Sequence, residues 1–161
     1  ELPVIVHTAK QGEQVVGYAV ETMTTKGFSG VFRLMVGFRA SGEVYNINVL
    51  EHSETPGLGS KMGDEGNSLI TSFKDKNPAN MKQPLAVAKD GGDVQALTAA
   101  TISSRAYVDA VVRAYNAVQQ IKGGANVATG ATSTEWTEGE QPAAEATETV
   151  NEETQKGEDN E

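Results

Sequence analysis

The sequence contains no cysteine and only two histidines among its 161 residues. The absence of cysteine excludes disulfide bonds, thiolate metal sites, iron–sulfur clusters and cysteine nucleophiles. Because His7 and His52 are the only imidazoles, we expect no histidine-rich metal site and predict no bound metal.

Long apolar runs and basic patches are also missing. No stretch of about 18 apolar residues is present, so the sequence predicts no membrane-spanning helix, and no signal peptide precedes Glu1. A chain from which a membrane anchor has been removed would begin in the same abrupt way. Since no basic run is interleaved with aromatic residues, we expect no nucleic acid among the partners.

Charge is divided unevenly along the chain. Ten of the 22 acidic residues and one of the 13 basic residues lie in 125–161, which leaves 12 of each in 1–124. The first part has the usual length of one domain. The second part has few large apolar residues and cannot bury enough surface to offset its chain entropy. We predict a single domain in 1–124 and a disordered acidic tail in 125–161.

The first fifty or so residues predict an antiparallel meander. Four runs have the composition of strands: Leu2 to Ala9, Gln14 to Thr22, Val31 to Arg39 and Tyr45 to Val49. In the third run, every second residue from Phe32 to Phe38 is large and apolar, which is typical of a half-buried strand. In the fourth run, Tyr45, Ile47 and Val49 alternate with asparagines, so we expect these three side chains on one face.

Helices are predicted after the meander. The residues around Leu69 to Phe73 indicate a short helix, and 85–88 indicate a brief strand. From Ser103 or Ser104, apolar residues recur at helical spacing as far as Ile121, before a double glycine ends the run. We expect this long helix to cover the sheet. The predicted fold class is therefore α+β, a twisted antiparallel sheet with helices packed on one face.

The segment TAATISS, 98–104, precedes the long helix and has two interpretations. Thr101, Ser103 and Ser104 are common N-cap residue types, so they could simply cap the helix. Alternatively, the first N–H groups of a helix lack internal partners and attract phosphate, and small residues nearby would leave room for a phosphorylated ligand. A hydroxyl at such a site could be esterified by that phosphate.

The segment ETPGLGSK, 54–61, is equally ambiguous when taken alone. It could be a turn after a strand, and its spacing fits neither the Walker loop nor the GxGxxG fingerprint. In a binding loop, its two glycines would let a planar ligand approach the backbone, while Leu58 and Lys61 would add an apolar surface and a cation. His52 and Glu54 could serve as acid and base, but no nucleophile accompanies them, so we expect no independent catalysis.

Taken together, the two segments resemble a known family. VLEHSETPGLGSK, 49–61, is followed by ALTAATISSRAYVDAV, 96–111, and this order is similar to that in the FMN-binding domain of the G subunit of the Rnf complex. A related domain occurs in the C subunit of the sodium-translocating NADH:quinone reductase. The upstream segment GFSGVFRLMVGFRASGEVYNINVL, 27–50, fits the same pattern, so the resemblance covers about residues 15–121.

The resemblance implies an electron-transfer subunit of a membrane-bound, ion-translocating ferredoxin:NAD oxidoreductase, the Rnf complex. In this family FMN is joined through its phosphate to a threonine hydroxyl by a separate, magnesium-dependent flavin transferase that uses FAD. The subunit would lie on the extracytoplasmic (periplasmic) face of the bacterial inner membrane, held by an N-terminal anchor helix that is missing here. Its partners would be the other membrane subunits of the complex.

The resemblance also implies which residues bind the cofactor. The acceptor of the covalent phosphoester corresponds to Thr101. The loop after the fourth strand would line the flavin, and the residues around the acceptor would hold the phosphate. These residues are Glu54, Thr55, Gly57, Leu58, Gly59 and Lys61 in the loop, with Thr98, Ala99, Ala100, Ile102, Ser103 and Ser104 around the acceptor.

Two positions depart from the acceptor pattern of the family, which is Asp, two residues, Thr or Ser, Gly, Ala, Thr. Gln95 replaces the Asp and Ala99 replaces the Gly. We expect the alanine to be tolerated if its φ is negative. A second copy of the pattern, NVATGAT at 126–132, makes Thr132 an alternative acceptor, which ranks second because no helical run follows it.

Two other functions remain compatible with the sequence. The domain could be a flavinylated electron carrier of a different extracytoplasmic reductase. It could also be a non-flavin interaction module on the same fold, an alternative that only Gln95 and Ala99 support.

Overall fold

The computed structural model describes residues 1–130, and the first elements along the chain are four strands. They are β1 (Ile5–Gln11), β2 (Gln14–Gly27), β3 (Gly30–Arg39) and β4 (Val44–Glu51). The strands pair in the order β1-β2-β3-β4, each antiparallel to its neighbour. The predicted meander is therefore confirmed.

The helices follow the sheet in the sequence. They are α1 (Ser68–Phe73) and α2 (Thr101–Lys122), with short 3₁₀ helices at Gly59–Gly63, Pro78–Asn80 and Ala88–Asp90. Gly123 ends α2 in the left-handed conformation, with a φ of 74°. The strand predicted over 85–88 is reduced to isolated bridges, from Leu85 to Thr129 and from Val87 to Val94. No helix in residues 1–130 has the length and hydropathy needed to span a bilayer.

The core lies between one face of the sheet and α2. Its buried residues include Val20, Phe32, Leu34, Val36, Phe38, Val44 and Ile47 from the strands, with Tyr107, Val108, Val111, Ala114 and Val118 from α2. The helix packs mainly along β2, where the Thr22 hydroxyl donates a 3.1 Å hydrogen bond to the Ala110 carbonyl. The predicted α+β fold class is confirmed, and α2 is the element that closes the sheet.

Strand β4 differs from its prediction in one place. Tyr45 is 60 % exposed, and Val44 is buried instead. The neighbouring residues Gly37 and Phe38 pair with Asn46 and Val44, so Tyr45 is an additional residue in β4. This bulge turns the Tyr45 ring outward, because a bulge interrupts the alternation of faces.

The start of the predicted tail also differs from its prediction. Val127 is buried, and its backbone N–H and C=O both bond to the side-chain amide of Asn116, at 2.9 and 3.1 Å. The backbone of Leu85 forms two further hydrogen bonds with this segment. Residues 125–130 therefore pack against the domain instead of leaving it. The rest of the predicted tail, 131–161, lies outside the described residues.

Candidate functional site

The loop after β4 meets the N-terminal end of α2. A Cβ atom built on Gly59 would lie 2.6 Å from the Ser103 hydroxyl and 2.8 Å from a carboxylate oxygen of Glu54. Only a residue without a side chain fits between these two groups. The two segments that the sequence analysis singled out are thus in contact.

Glu54 is the buried centre of this contact, with 3 % of its surface exposed. Its carboxylate accepts hydrogen bonds from the N–H groups of Phe28, at 3.2 Å, and Ser29, at 2.9 Å. The Ser103 hydroxyl donates to the same carboxylate. The N–H of Glu54 itself donates to Nδ1 of His52, at 3.1 Å. Glu54 therefore joins the turn between β2 and β3 to the first turn of α2.

The other predicted loop residues lie nearer the surface. Leu58 is 39 % exposed, Lys61 is exposed and Thr55 is half-buried. Gly57 has a φ of 75°, and its N–H donates to the Ser60 hydroxyl at 3.0 Å. The positive φ explains the glycine at position 57, since L-residues with a side chain rarely adopt it. The loop presents an apolar side chain and a cation beside the helix terminus.

Helix α2 begins without a side-chain cap. Its N-cap residue is Ala100, which is buried, and no side chain accepts a hydrogen bond from the first turn. Within residues 1–130, Ser104 is the first residue of α2 whose N–H reaches an acceptor, the Ala100 carbonyl at 3.0 Å. The N–H groups of Thr101, Ile102 and Ser103 therefore have no acceptor in the described part of the chain.

The N-cap position is occupied by alanine, and the hydroxyl groups of this segment do not replace the missing cap. The Ser103 hydroxyl bonds to Glu54, and the Ser104 hydroxyl donates to the Ala100 carbonyl at 2.8 Å. The Thr101 hydroxyl forms no hydrogen bond within residues 1–130, and the residue is half-buried, as is Ile102. The interpretation that these residues cap the helix is therefore wrong. A half-buried hydroxyl instead lies beside three N–H groups without acceptors.

Ala99 adopts a φ of 56°, so the condition under which the alanine was expected to be tolerated, a negative φ, is not met. This left-handed conformation costs a residue with a side chain about 1–2 kcal/mol. Ala99 and the preceding Thr98 are exposed. Gln95 is also exposed, and its N–H donates to the Ser72 hydroxyl at 2.9 Å.

Sequence reasoning did not assign Phe28 and Ser29 to the site. They contact Glu54 through backbone N–H groups, which every residue except proline supplies, so their side chains give no signal. The only hint is the pair of glycines at positions 27 and 30 that flank them. Phe28 is 41 % exposed, so a second exposed apolar residue is hydrogen-bonded to Glu54 through its backbone.

A groove of about 630 Å³ lies elsewhere on the domain, between β4 and α1. Ile47, Met62, Ile70 and Lys74 are among the residues that line it, and none of the predicted site residues does so. The candidate site is thus an open junction on the surface, separate from this groove.

Comparison with known proteins identifies the class to which this fold and site belong. The family model described as "FMN-binding domain" matches residues 27–116, which is more than half of the chain. The chain therefore belongs to the FMN-binding domain family, and the resemblance stated from the two motifs is confirmed.

The names of the curated relatives describe one particular subunit, whereas the family model describes only a domain. The chain is 40 % identical over 122 residues to the G subunit of the ion-translocating oxidoreductase complex of Shewanella loihica. It is 42 % identical over 110 residues to the protein of the same name from Escherichia coli. These alignments cover 73 % and 68 % of this chain, and 58 % and 53 % of the relatives. The chain thus spans about half the length of the curated relatives it matches.

Proposed function

We propose that this chain carries FMN as a covalent phosphoester of Thr101 and passes electrons within a membrane-bound, ion-translocating oxidoreductase of the Rnf type. The observation that carries the proposal is the first turn of α2. There a half-buried threonine hydroxyl without a partner in residues 1–130 lies beside three N–H groups without acceptors. Membership of the FMN-binding domain family supports FMN as the ligand.

These residues suit a phosphorylated flavin. The open N–H groups of Thr101, Ile102 and Ser103 are donors for phosphate oxygens, and the helix dipole favours an anion there by roughly 0.3–1 kcal/mol. That energy orients a phosphate but is too small to retain a cofactor, whereas a covalent ester retains it. Leu58 and Phe28 offer apolar surfaces to a planar ring. Once bound, FMN supplies the electron-carrying chemistry that this chain lacks.

The attachment step is a phosphoryl transfer from FAD. The Thr101 oxygen forms a bond to the phosphorus on the flavin side, the diphosphate bond breaks and AMP leaves. The hydroxyl proton passes to a base of the flavin transferase, which also supplies the magnesium ion. Because Thr101 is half-buried at the surface end of α2, it is accessible to such an enzyme. The resulting phosphodiester keeps one negative charge facing the open N–H groups.

The relatives support the proposed partners, and the proposed location rests on the family resemblance found in the sequence. The name of the relatives describes a subunit of an ion-translocating complex, and this chain spans about half of their length. We propose that the domain lies on the extracytoplasmic face of the membrane, held by an anchor helix outside this sequence, in contact with other subunits. Within residues 1–130 no helix could supply that anchor.

The test is to produce the chain together with an FAD-dependent flavin transferase and to measure its mass after denaturation. We expect an added mass of FMN less one water in the parent, and its loss in Thr101→Ala. Thr8→Ala, at an exposed threonine of β1 that is not among the predicted site residues, is the control and should keep the flavin. A parent without flavin would refute the covalent proposal. Flavin retained in Thr101→Ala but lost in Thr132→Ala would move the acceptor to the second copy of the pattern.

A flavinylated carrier of another reductase remains the second candidate within redox chemistry. The shared name of the curated relatives favours the ion-translocating complex over it. Co-purification of the full-length protein from membranes would separate the two. Other subunits of an ion-translocating complex in the eluate would support the first, whereas a different reductase would support the second.

A further inference from the structure

We propose that Glu54 is a positioning residue that fixes the turn between β2 and β3 and the first turn of α2 relative to each other, and that it acts on the flavin through them without touching it. The part of this inference that concerns the flavin rests on the proposed function. The expectation from the resemblance was different, because it assigned Glu54 to the lining of the flavin.

The Glu54 carboxylate accepts three hydrogen bonds, with both of its oxygens engaged. One oxygen accepts from the N–H of Ser29, and the other accepts from the N–H of Phe28 and the hydroxyl of Ser103. None of the ion pairs within residues 1–130 involves Glu54, so these three donors are what stabilises its buried charge. The three donors come from two segments that are far apart in the sequence.

Glu54 is 3 % exposed, and two glycines pack closely against its carboxylate. A Cβ atom on Gly27 would lie 2.6 Å from one carboxylate oxygen, and a Cβ atom on Gly59 would lie 2.8 Å from the other. The backbone thus closes on Glu54 from two sides, and only glycine permits this approach. A carboxylate enclosed in this way cannot contact a ring or a ribityl chain directly.

The segments that Glu54 joins carry the groups that would face the flavin. Phe28 lies directly after Gly27, and Leu58 lies directly before Gly59, so the two exposed apolar residues are sequence neighbours of the two glycines that pack against the carboxylate. Ser103 supplies both the hydroxyl that bonds to Glu54 and one of the open N–H groups of α2. Loss of the carboxylate would therefore change the distance between the apolar surfaces and the phosphate site.

Two substitutions separate positioning from a direct effect of charge. Ser103→Ala removes the bond between Glu54 and α2, adds no bulk and leaves the carboxylate charged. Glu54→Gln removes the charge and places an N–H₂ group where a donor already points, so one backbone N–H loses its acceptor. The controls are Ser53→Ala and Glu65→Gln, since both residues are exposed.

The first measurement uses the flavin-free protein and follows amide hydrogen exchange by NMR. We expect exchange at Phe28 or Ser29 to become roughly tenfold faster in Glu54→Gln, because a hydrogen bond to a charged group is lost. Exchange in both control variants should stay at the parent value. Unchanged exchange in Glu54→Gln would show that the carboxylate does not hold the turn, and would overturn the inference without any flavin.

The second measurement uses the flavin-loaded protein made with the transferase, and records the visible spectrum and the midpoint potential. We expect both Ser103→Ala and Glu54→Gln to keep the flavin, since Thr101 is intact, and to shift both quantities beyond the range of the two controls. A shift in Glu54→Gln alone would indicate direct action of the charge and would overturn the inference. If the spectrum and the midpoint potential of both variants match those of the controls, Glu54 has only a structural role, and the inference that it acts on the flavin is overturned. Absence of flavin from the parent itself would refute the proposed function. This result differs from a failure of the inference about Glu54, in which the parent carries flavin.

Discussion

Ala99 has a backbone conformation that is unfavourable for a residue with a side chain. Besides Asp75, it is the only non-glycine residue in 1–130 with a positive φ. The acceptor pattern that the resemblance implies has glycine at this position, and a positive φ would give that glycine a conformational reason. Sequence reasoning identified the substitution but left the sign of φ open, because the backbone conformation of one loop residue depends on how the flanking segments are held.

We predict that Ala99→Gly stabilises the protein. The substitution removes about 1–2 kcal/mol of left-handed strain, while the greater conformational entropy of the unfolded chain costs about 0.4–1 kcal/mol, so the net gain in stability is about 0.8 kcal/mol, within a range of about 0–1.6 kcal/mol. Urea unfolding of the flavin-free protein measures it. Ala88→Gly, at an alanine without positive φ, is the control and should lower the free energy of unfolding. If both substitutions change the free energy of unfolding in the same direction, the positive φ of Ala99 does not explain the effect.

We also predict that Gln95→Asp combined with Ala99→Gly increases flavin attachment. Gln95 is exposed and held through its backbone N–H, so a shorter acidic side chain fits without rearrangement. The double variant restores the family's acceptor pattern. The fraction of flavinylated protein after production with a limiting amount of transferase gives the readout. If the flavinylated fraction of the double variant does not increase under conditions that fully label a relative with the intact pattern, that result would favour the non-flavin interaction module.

At the scale of elements, the sequence predicted what depends on local periodicity. The alternation from Phe32 to Phe38 predicted β3, and the spacing of apolar residues predicted the bounds of α2 to within a few residues. The bulge at Tyr45 was not predictable, because the register of β4 is set by its pairing with β3. The position of Glu54 was missed for a similar reason, since its partners are backbone N–H groups of a distant turn.

We predict that residues 125–130 stabilise the domain and that 131–161 do not. A chain ending at 124 loses the burial of Val127 and its two bonds to Asn116, which should cost about 2–4 kcal/mol. A chain ending at 130 should match the parent in its free energy of unfolding. Chemical denaturation of the three chains gives the comparison. Equal stability of the chains ending at 124 and 130 would show that the bonds to Asn116 contribute nothing.

At the scale of the whole molecule, stability should depend on alkaline pH through buried tyrosines. Burial raises the pKa of Tyr107 and of Tyr115 above the ordinary value for tyrosine. Unfolded tyrosines lose their protons near pH 10, where the folded ones still hold them. Their contribution to stability is thus fully present below about pH 10 and is lost as pH rises toward the folded pKa values.

We predict that Tyr107→Phe reduces this alkaline loss. Within residues 1–130 the Tyr107 hydroxyl is buried without a hydrogen-bond partner, so its removal should also raise stability at neutral pH by about 1 kcal/mol. Urea unfolding at several pH values from about 7 to 11 gives both quantities. Tyr45→Phe is the control, because Tyr45 is exposed. If the free energy of unfolding of Tyr107→Phe falls between about pH 10 and pH 11 as steeply as that of the parent, Tyr107 is not the cause of the alkaline loss of stability.

The order of the strands has a consequence for when the protein can be modified. Because each strand pairs with its sequence neighbour, the sheet can assemble from successive hairpins, whereas α2 must fold back across β2 to complete the core. The proposed acceptor, Thr101, is the first residue of that last element, so its surroundings exist only in the finished domain. A transferase that reads those surroundings would act as a check on folding, and unfinished chains would remain colourless.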